Sequence, residues 1–534
     1  MSEHDKRATG FELNQVESTS SRSKVFDNSI SHVPEEYRGT EADAHDMIVM
    51  GKKQVLRRNF EFYTMLGFAS TCVASWEGVL SYTSFWLTNG GTGLVFWGSI
   101  VCTIGQAMVY ASLAELASMS PTAGGQYHWV SELAPRRHQK LLSYMAGWVT
   151  GLGWQVYLAS VAFLVGTMIQ GLIAMNDSSY VWKNWHGTLL AIATIIFSSF
   201  FNTIFANQLP LLQGVTLVLH VLGFFAVIIT LWATAPISSG HILIEFTNEG
   251  GWSTTGLSAM IGLLAPIAVL IGYDCSAHMA EEIKGASSAL PSAIMSSILL
   301  NGLLAFIMSV TLIFCLGDIE SVLSGPSGYP FIQIFYNATK SYAATNVLTA
   351  IVIILLTGCC ISELAASSRQ VWSFARDQGL PGWSWLSRVS PGWNIPLPAV
   401  LLSITITALL SLINIGSSVA LNAITSLGAL AVMCSYMLTI GCLVYRRLAG
   451  PPLPPRKWSL GRFGLAVNVI SLLFLPPLVF FITWPVVTPT TATTMNWSSI
   501  MLAGVLIIAS VYYVVKGRKE YEGPVVWMRR GEEL

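Results

Sequence analysis

The chain has 534 residues, 53% of them hydrophobic and 10% charged, with a mean hydropathy of +0.58. Soluble globular proteins carry about 25% charged residues, so most of this surface does not meet water. The formal net charge is zero, which excludes nucleic-acid binding through a basic surface.

Residues 1–58 hold ten of the 28 acidic and nine of the 28 basic residues. Such a polar segment predicts a disordered cytosolic tail, and no apolar core follows a short basic start, as a signal peptide requires. Beyond it, twelve stretches approach the roughly 20 apolar residues that a membrane span needs. They are 63–87, 93–117, 141–175, 187–206, 211–233, 255–280, 293–316, 345–375, 397–415, 418–445, 463–484 and 497–515. The expectation is an all-α membrane protein, with a permease-sized domain over 59–516 and a second cytosolic tail over 517–534. The third and eighth stretches are long enough to tilt or protrude.

Lysine and arginine placement orients the chain. With the N-terminus cytosolic, the inside loops contain Arg136, Arg137, Lys140, Lys284, Arg376, Arg388, Arg446, Arg447, Arg456, Lys457 and Arg462. The outside loops contain Lys183 and Lys340. Three Asn-x-Ser/Thr sequons, at Asn176, Asn337 and Asn496, fall on that outside face. Both termini are therefore expected in the cytosol. The eight cysteines lie in or beside apolar runs without CxxC spacing, so helix packing is expected of them and no metal site.

An ionisable side chain inside a bilayer costs about 2.5–3.5 kcal/mol on insertion scales, and few occur here. They are Glu77 in the first stretch, Glu115 ending the second, His220 in the fifth, Asp274, His278, Glu281 and Glu282 in or after the sixth, and Glu363 with Arg369 in the eighth. The first stretch mixes small residues with Trp76 and Glu77, and the sixth places Pro266, Gly272 and Tyr273 before Asp274. The two stretches lie five apart, the spacing of corresponding helices in two five-helix repeats. They read as a pair of broken helices whose bared peptide groups line a site, since unpaired backbone survives in a membrane only against a cavity or a ligand. Ala74, Ser75, Trp76, Glu77, Gly272, Tyr273, Asp274 and, in the third stretch, Trp148 are the candidate substrate contacts. In the third stretch Gly147 and Gly151 predict close helix approach, and Trp148 and Trp154 either line a cavity or pack. Asp274, His278 and Glu281 share one face if the helix resumes, either as a proton relay or as groups paired with loop arginines.

Several runs resemble a known family. The run from Glu115 to Trp129, containing Pro121, Gly124, Gly125, Gln126 and Tyr127, resembles the loop after the second helix of amino acid–polyamine–organocation permeases. Tyr273-Asp274 with His278, Glu281, Glu282 and Pro291 resembles the sixth helix of their fungal amino acid/choline/GABA branch. Arg369-Gln370 followed by Ala375-Arg376-Asp377 and Gly379-Leu380-Pro381 resembles the end of its eighth helix. Ser75-Trp76-Glu77 with Asn89-Gly90-Gly91 resembles its first helix and following loop. The resemblance covers about residues 60 to 515.

It implies a five-plus-five inverted repeat (59–233 and 255–446) with two extra helices (463–515), alternating access around broken helices one and six, and proton-driven uptake without a cofactor. Its partners would be a small amine or amino acid, protons and the lipid bilayer. Some relatives place a coupling lysine in the fifth helix; here that helix offers His220, either as a proton carrier or as a packed histidine. Glu77, Asp274 and His278 are the other proton-coupling candidates. Glu115 is expected to pair with Arg376 or Arg137 and hold an inner gate shut.

The carboxylates favour a cationic or zwitterionic amine. An amino acid or GABA is the first expectation; choline, held by cation–π attraction to Trp76, Tyr82 and Tyr273, is the second. A nutrient sensor on the same fold is an alternative of another class, while no nucleophile, metal or nucleotide motif suggests an enzyme. The plasma membrane is expected, with the vacuolar membrane open.

Overall fold

The computed structural model describes residue 37 and residues 39–416 and 420–524. It is helical, with no strand among the described residues. Among the described residues, ten helices are long and apolar enough to cross a membrane. We number the spans by chain order. Span 2 is Gly91–Met119, span 3 Gln139–Asn176, span 4 Asn184–Asn202, span 5 Leu209–Thr234 and span 7 Ala286–Phe314. Span 8 is Tyr342–Arg376, span 9 Leu397–Ser411, span 10 Ala420–Ala449, span 11 Gly464–Phe481 and span 12 Ser498–Tyr512.

The remaining two stretches are interrupted. Span 1 runs Phe62–Val73, turns at Ala74 and resumes as Ser75–Ser81 and Thr83–Thr88. Span 6 runs Thr255–Gly262 and Leu264–Ala268, unwinds, and resumes as the single turn Cys275–His278. The breaks sit where the sequence concentrates small residues beside a carboxylate, five spans apart. Together with the ten continuous helices they make the expected all-α membrane fold of about twelve helices.

Spans 1, 3, 6 and 8 form the centre of the bundle. Span 3 reaches span 8 through its glycines: a side chain at Gly147 would strike Phe374 at 2.3 Å, and one at Gly151 would meet Gln370 at 3.1 Å. That close approach is what the small-residue face predicts. Spans 4, 5, 11 and 12 leave many apolar side chains exposed, including Phe197, Leu211, Leu222, Leu473 and Ile507. In water such a surface would aggregate; it suits lipid.

Helices too short to span also appear beside the bundle, among them Gln126–Leu133 and Pro330–Thr339. These two were not expected because neither has the length of a span, and the second begins with proline at its first position, which favours a helix start.

Within both expected tails, described residues pack against the bundle. Residues 1–36, 38 and 525–534 lie outside the described residues, but Glu41–Val49 is a helix capped by the Thr40–Asp43 box. The strand of chain after it docks under span 6: Phe60 N–H donates to the Glu282 carbonyl and Lys284 N–H to the Phe60 carbonyl, both at 2.9 Å. At the other end Tyr521 is buried, and its hydroxyl meets that of Ser143 at 2.5 Å. Charge density marked these segments as polar, but paired charges can be buried against the bundle.

Candidate functional site

Ala74 has φ +43°, a left-handed conformation that costs a non-glycine residue about 1–2 kcal/mol. The strain ends the first half of span 1 and starts the second at Ser75. The N–H groups of Ser75, Trp76 and Glu77 form the first turn of that second half, and their orphan donors and partial positive charge are available to an anion. In span 6, Gly272 adopts φ +117°, which a Cβ would oppose. Its N–H donates to the Tyr110 hydroxyl at 2.8 Å. The breaks face each other closely: a side chain at Gly78 would sit 2.7 Å from Val269 Cγ1.

Each predicted contact has a definite place. Ser75 Oγ donates to Asn301 of span 7, at 2.8 Å from Oδ1. Trp76 is fully buried and donates through Nε1 to the His220 carbonyl at 3.2 Å. Its ring packs on His220 and Phe224, so it anchors the break to span 5. Glu77 Oε1 lies 2.7 Å from His220 Nδ1, with both side chains buried. The outer oxygen of Glu77 and Nε2 of His220 have no partner among the described residues. The fifth-span histidine thus meets the first-span carboxylate, which the sequence placed 143 residues apart.

Asp274 is engaged on both oxygens. Gln126 Nε2 donates to Oδ2 at 2.6 Å, Trp154 Nε1 approaches the same oxygen at 3.4 Å, and the Tyr436 hydroxyl donates to Oδ1. His278 Nε2 stands 3.9 Å away, while its Nδ1 meets the Ala123 carbonyl at 3.0 Å. This carboxylate ties the unwound segment to spans 3 and 10 and to the short helix at Gln126. Tyr273 stacks edge-on against Tyr110, its hydroxyl unpartnered. Of the span 3 tryptophans, Trp154 meets the break; Trp148 packs on Tyr144 instead.

The helix does not resume far enough for Asp274, His278 and Glu281 to form a line. After one turn it tightens to a 3₁₀ turn at Ala280–Glu282, and Glu281 takes a bidentate bond from Arg376, at 2.6 and 2.8 Å. Glu282 accepts from Arg369 Nε at 2.8 Å. The expected pairing of Glu115 with Arg376 or Arg137 is therefore corrected. Glu115 accepts from Arg447 and Arg456, the latter at 2.9 Å, and Arg137 is exposed. Sequence distance hid this: the loop between spans 10 and 11 folds back under span 2.

The docked N-terminal segment completes this basic end. Lys52 Nζ reaches Asp377 at 3.2 Å, and Arg58 lies 3.5 Å from Asp43. Burial opposes charge on Asp43, yet Arg58 and the backbone amides of Gly285, Thr40 and Ala286 hold its carboxyl below the usual carboxylate range. Burial pushes the Lys52 ammonium down, against the attraction of Asp377.

Asn301, Tyr436 and Tyr110 were missed as site residues. Asn301 carried one signal, a polar residue inside an apolar run. The two tyrosines carried none, since a tyrosine in a span is ordinary.

A family model described as amino acid permease matches residues 60–507. A protein of Macrophomina phaseolina named for amino acid/polyamine transport is 31% identical over 440 residues, covering 82% of this chain and 97% of that one. The choline transporter of Saccharomyces cerevisiae is 29% identical over 472 residues, covering 87% and 83%. Amino-acid permease 2 of Neurospora crassa is 26% identical over 502 residues, covering 93% and 91%. A family of transporters rather than enzymes, matched across both breaks and nearly all spans, accounts for the bundle and its buried polar centre. The chain belongs to the amino acid permease family, within the amino acid–polyamine–organocation superfamily.

Proposed function

We propose that this protein is a proton-driven carrier of a small zwitterionic amino compound, an amino acid or GABA. One observation carries the reading: Glu77, held by His220, sits in the first turn of the resumed span 1. A carboxylate with a bare oxygen attracts the cargo's ammonium. The first-turn N–H groups of Ser75, Trp76 and Glu77 attract its carboxylate. Ala74, Gly272 and Tyr273 supply the bent backbone and the wall opposite. Asp274 shapes this wall through its own hydrogen bonds.

The arginine pairs at the basic end support an inner gate, closed in this conformation, with Arg376–Glu281 and Glu115–Arg447 among its clasps. The bias of basic loops supports cytosolic termini. A second reading, an organic-cation carrier, is favoured by the aromatic side chains near the breaks, Trp154, Tyr157 and Tyr82, and by the similarity to a choline transporter.

The test is radiolabelled uptake in a permease-deficient yeast strain. GABA, choline, proline, basic amino acids and polyamines compete, with and without a protonophore. Competition by amino acids, abolished by the protonophore, supports the reading. Competition by choline alone supports the second, binding without accumulation supports a sensor, and insensitivity to the protonophore refutes proton coupling.

A further inference from the structure

Glu363 lies in span 8 and is 3% exposed. Its partners differ from those of every other carboxylate buried in the bundle. Glu77 has His220, Asp274 has three neutral donors, Glu115 has two arginines, and Glu281 and Glu282 have one arginine each. Glu363 forms no ion pair among the described residues, and its Oε2 has no hydrogen-bond partner at all. The nearest arginine along its helix, Arg369, is committed to Glu282.

The surroundings are apolar and weakly polar. Cys359, one turn earlier on the same face, lies beside the carboxyl. The Cys359 thiol donates to the Cys72 carbonyl at 2.9 Å, two residues before the break at Ala74. Span 6 presents Cys275, just after the other break. Tyr82 of span 1 and Tyr157 of span 3 lie within its electrostatic reach, as does Cys360 facing span 4. Span 5 offers His220, which is bound to Glu77. Of spans 4 and 9, also packed on span 8, span 9 carries no charged or titratable residue and span 4 carries His186, in its first turn. A naked carboxylate here would lose its hydration with no cation in return, at a cost of several kcal/mol.

We propose that Glu363 carries the transported proton: the carrier closes only around its neutral carboxyl and yields the proton to the cytosol when the basic end opens. This inference rests on the proton-driven reading above. The site couples two events through one rule. With the outer side open, water reaches Glu363 and it accepts a proton. Closure expels water from the space beside both breaks, which the charged form resists and the neutral form permits. When the arginine pairs part, water returns from the cytosolic side and the carboxyl ionises. The proton then leaves as hydronium along with the cargo.

The test compares wild type with Glu363→Gln, which fixes a neutral side chain of the same shape, and with Glu363→Asp, which keeps an acid. All three are assayed in membrane vesicles for uptake driven by a pH gradient and for counterflow exchange with no gradient. Glu363→Gln is expected to keep counterflow within about twofold of wild type and to lose accumulation by about tenfold or more. Its uptake should also lose dependence on external pH and on protonophore. Glu363→Asp should keep coupled uptake.

A coupled, protonophore-sensitive Glu363→Gln carrier overturns the proposal. So does loss of counterflow in both variants at normal membrane abundance, which marks a structural role. If Glu363→Gln does not reach the membrane, the pH profile of Glu363→Asp decides: a shifted midpoint supports the proposal and an unchanged one overturns it. A wild-type protein insensitive to protonophore defeats the proton-driven reading itself, whereas a sensitive wild type with a sensitive Glu363→Gln defeats only the role of Glu363.

Discussion

The basic end of the bundle and its centre both bury carboxylates, and they treat them in opposite ways. At the basic end each carboxylate meets a full positive charge: Glu281 with Arg376, Glu282 with Arg369, Glu115 with Arg447 and Arg456, Asp43 with Arg58 and Asp377 with Lys52. At the centre Glu77 meets a histidine, Asp274 meets neutral donors and Glu363 meets thiols. Complete ion pairs can hold two states, joined or hydrated apart, as a clasp requires. Incompletely compensated charge away from water has one way to be satisfied, which is a ligand or a proton. On the proposed reading, the difference separates the parts that open from the parts that bind.

The comparison breaks most sharply at Glu77. Glu77→Gln is expected to abolish uptake of any cationic or zwitterionic cargo, since removing one partner of a buried charge pair costs about 2–5 kcal/mol. Membrane abundance should be unchanged, and normal uptake in that variant would remove Glu77 from the site.

The clasp side is tested by charge reversal. Arg376→Glu or Glu281→Arg alone strands a buried charge, a loss of about 3–5 kcal/mol, and uptake should fall steeply. The double reversal should recover part of it, because the bidentate geometry survives exchange. Pairing Glu115→Arg with Arg376→Glu should rescue nothing, since those residues do not meet.

Smaller effects are expected from the backbone. Ala74→Gly removes about 1 kcal/mol of left-handed strain and should transport at least as well as wild type. Gly272→Val adds strain of about that size or more at φ +117° and should reduce uptake. Equal uptake by both variants would mean that these bends do not shape the site.

The smallest effect concerns the docked N-terminal segment. The folded pKa of Asp43 lies below its ordinary value of 3.8. Its contribution is therefore complete above that value and is lost as pH falls through the depressed folded value. Protease cleavage between residues 39 and 58 of detergent-solubilised protein should rise in that acid window. Asp43→Asn should show the same cleavage already at neutral pH.

Much of this was legible in the residues. Apolar length located the spans, and glycine or alanine beside a carboxylate marked both breaks, because a helix can unwind in lipid only where the freed peptide groups are met. The Gly147–Gly151 face announced a close helix approach, and the structure supplies span 8 as the partner. Trp148 was the candidate contact, yet nothing in the residues separates it from Trp154, another tryptophan near the same glycines; only the rotation of span 3 aims Trp154 at Gly272 and Asp274.

By itself, the sequence determined which segments enter the membrane and which residue types would be stranded there, since both follow from the cost of transferring each side chain and peptide group out of water. Tertiary structure alone decided who answers whom. Glu77 found His220, Glu115 found Arg447, and Glu363 found no cation, because pairing depends on how helices far apart in the chain turn toward one another as they pack.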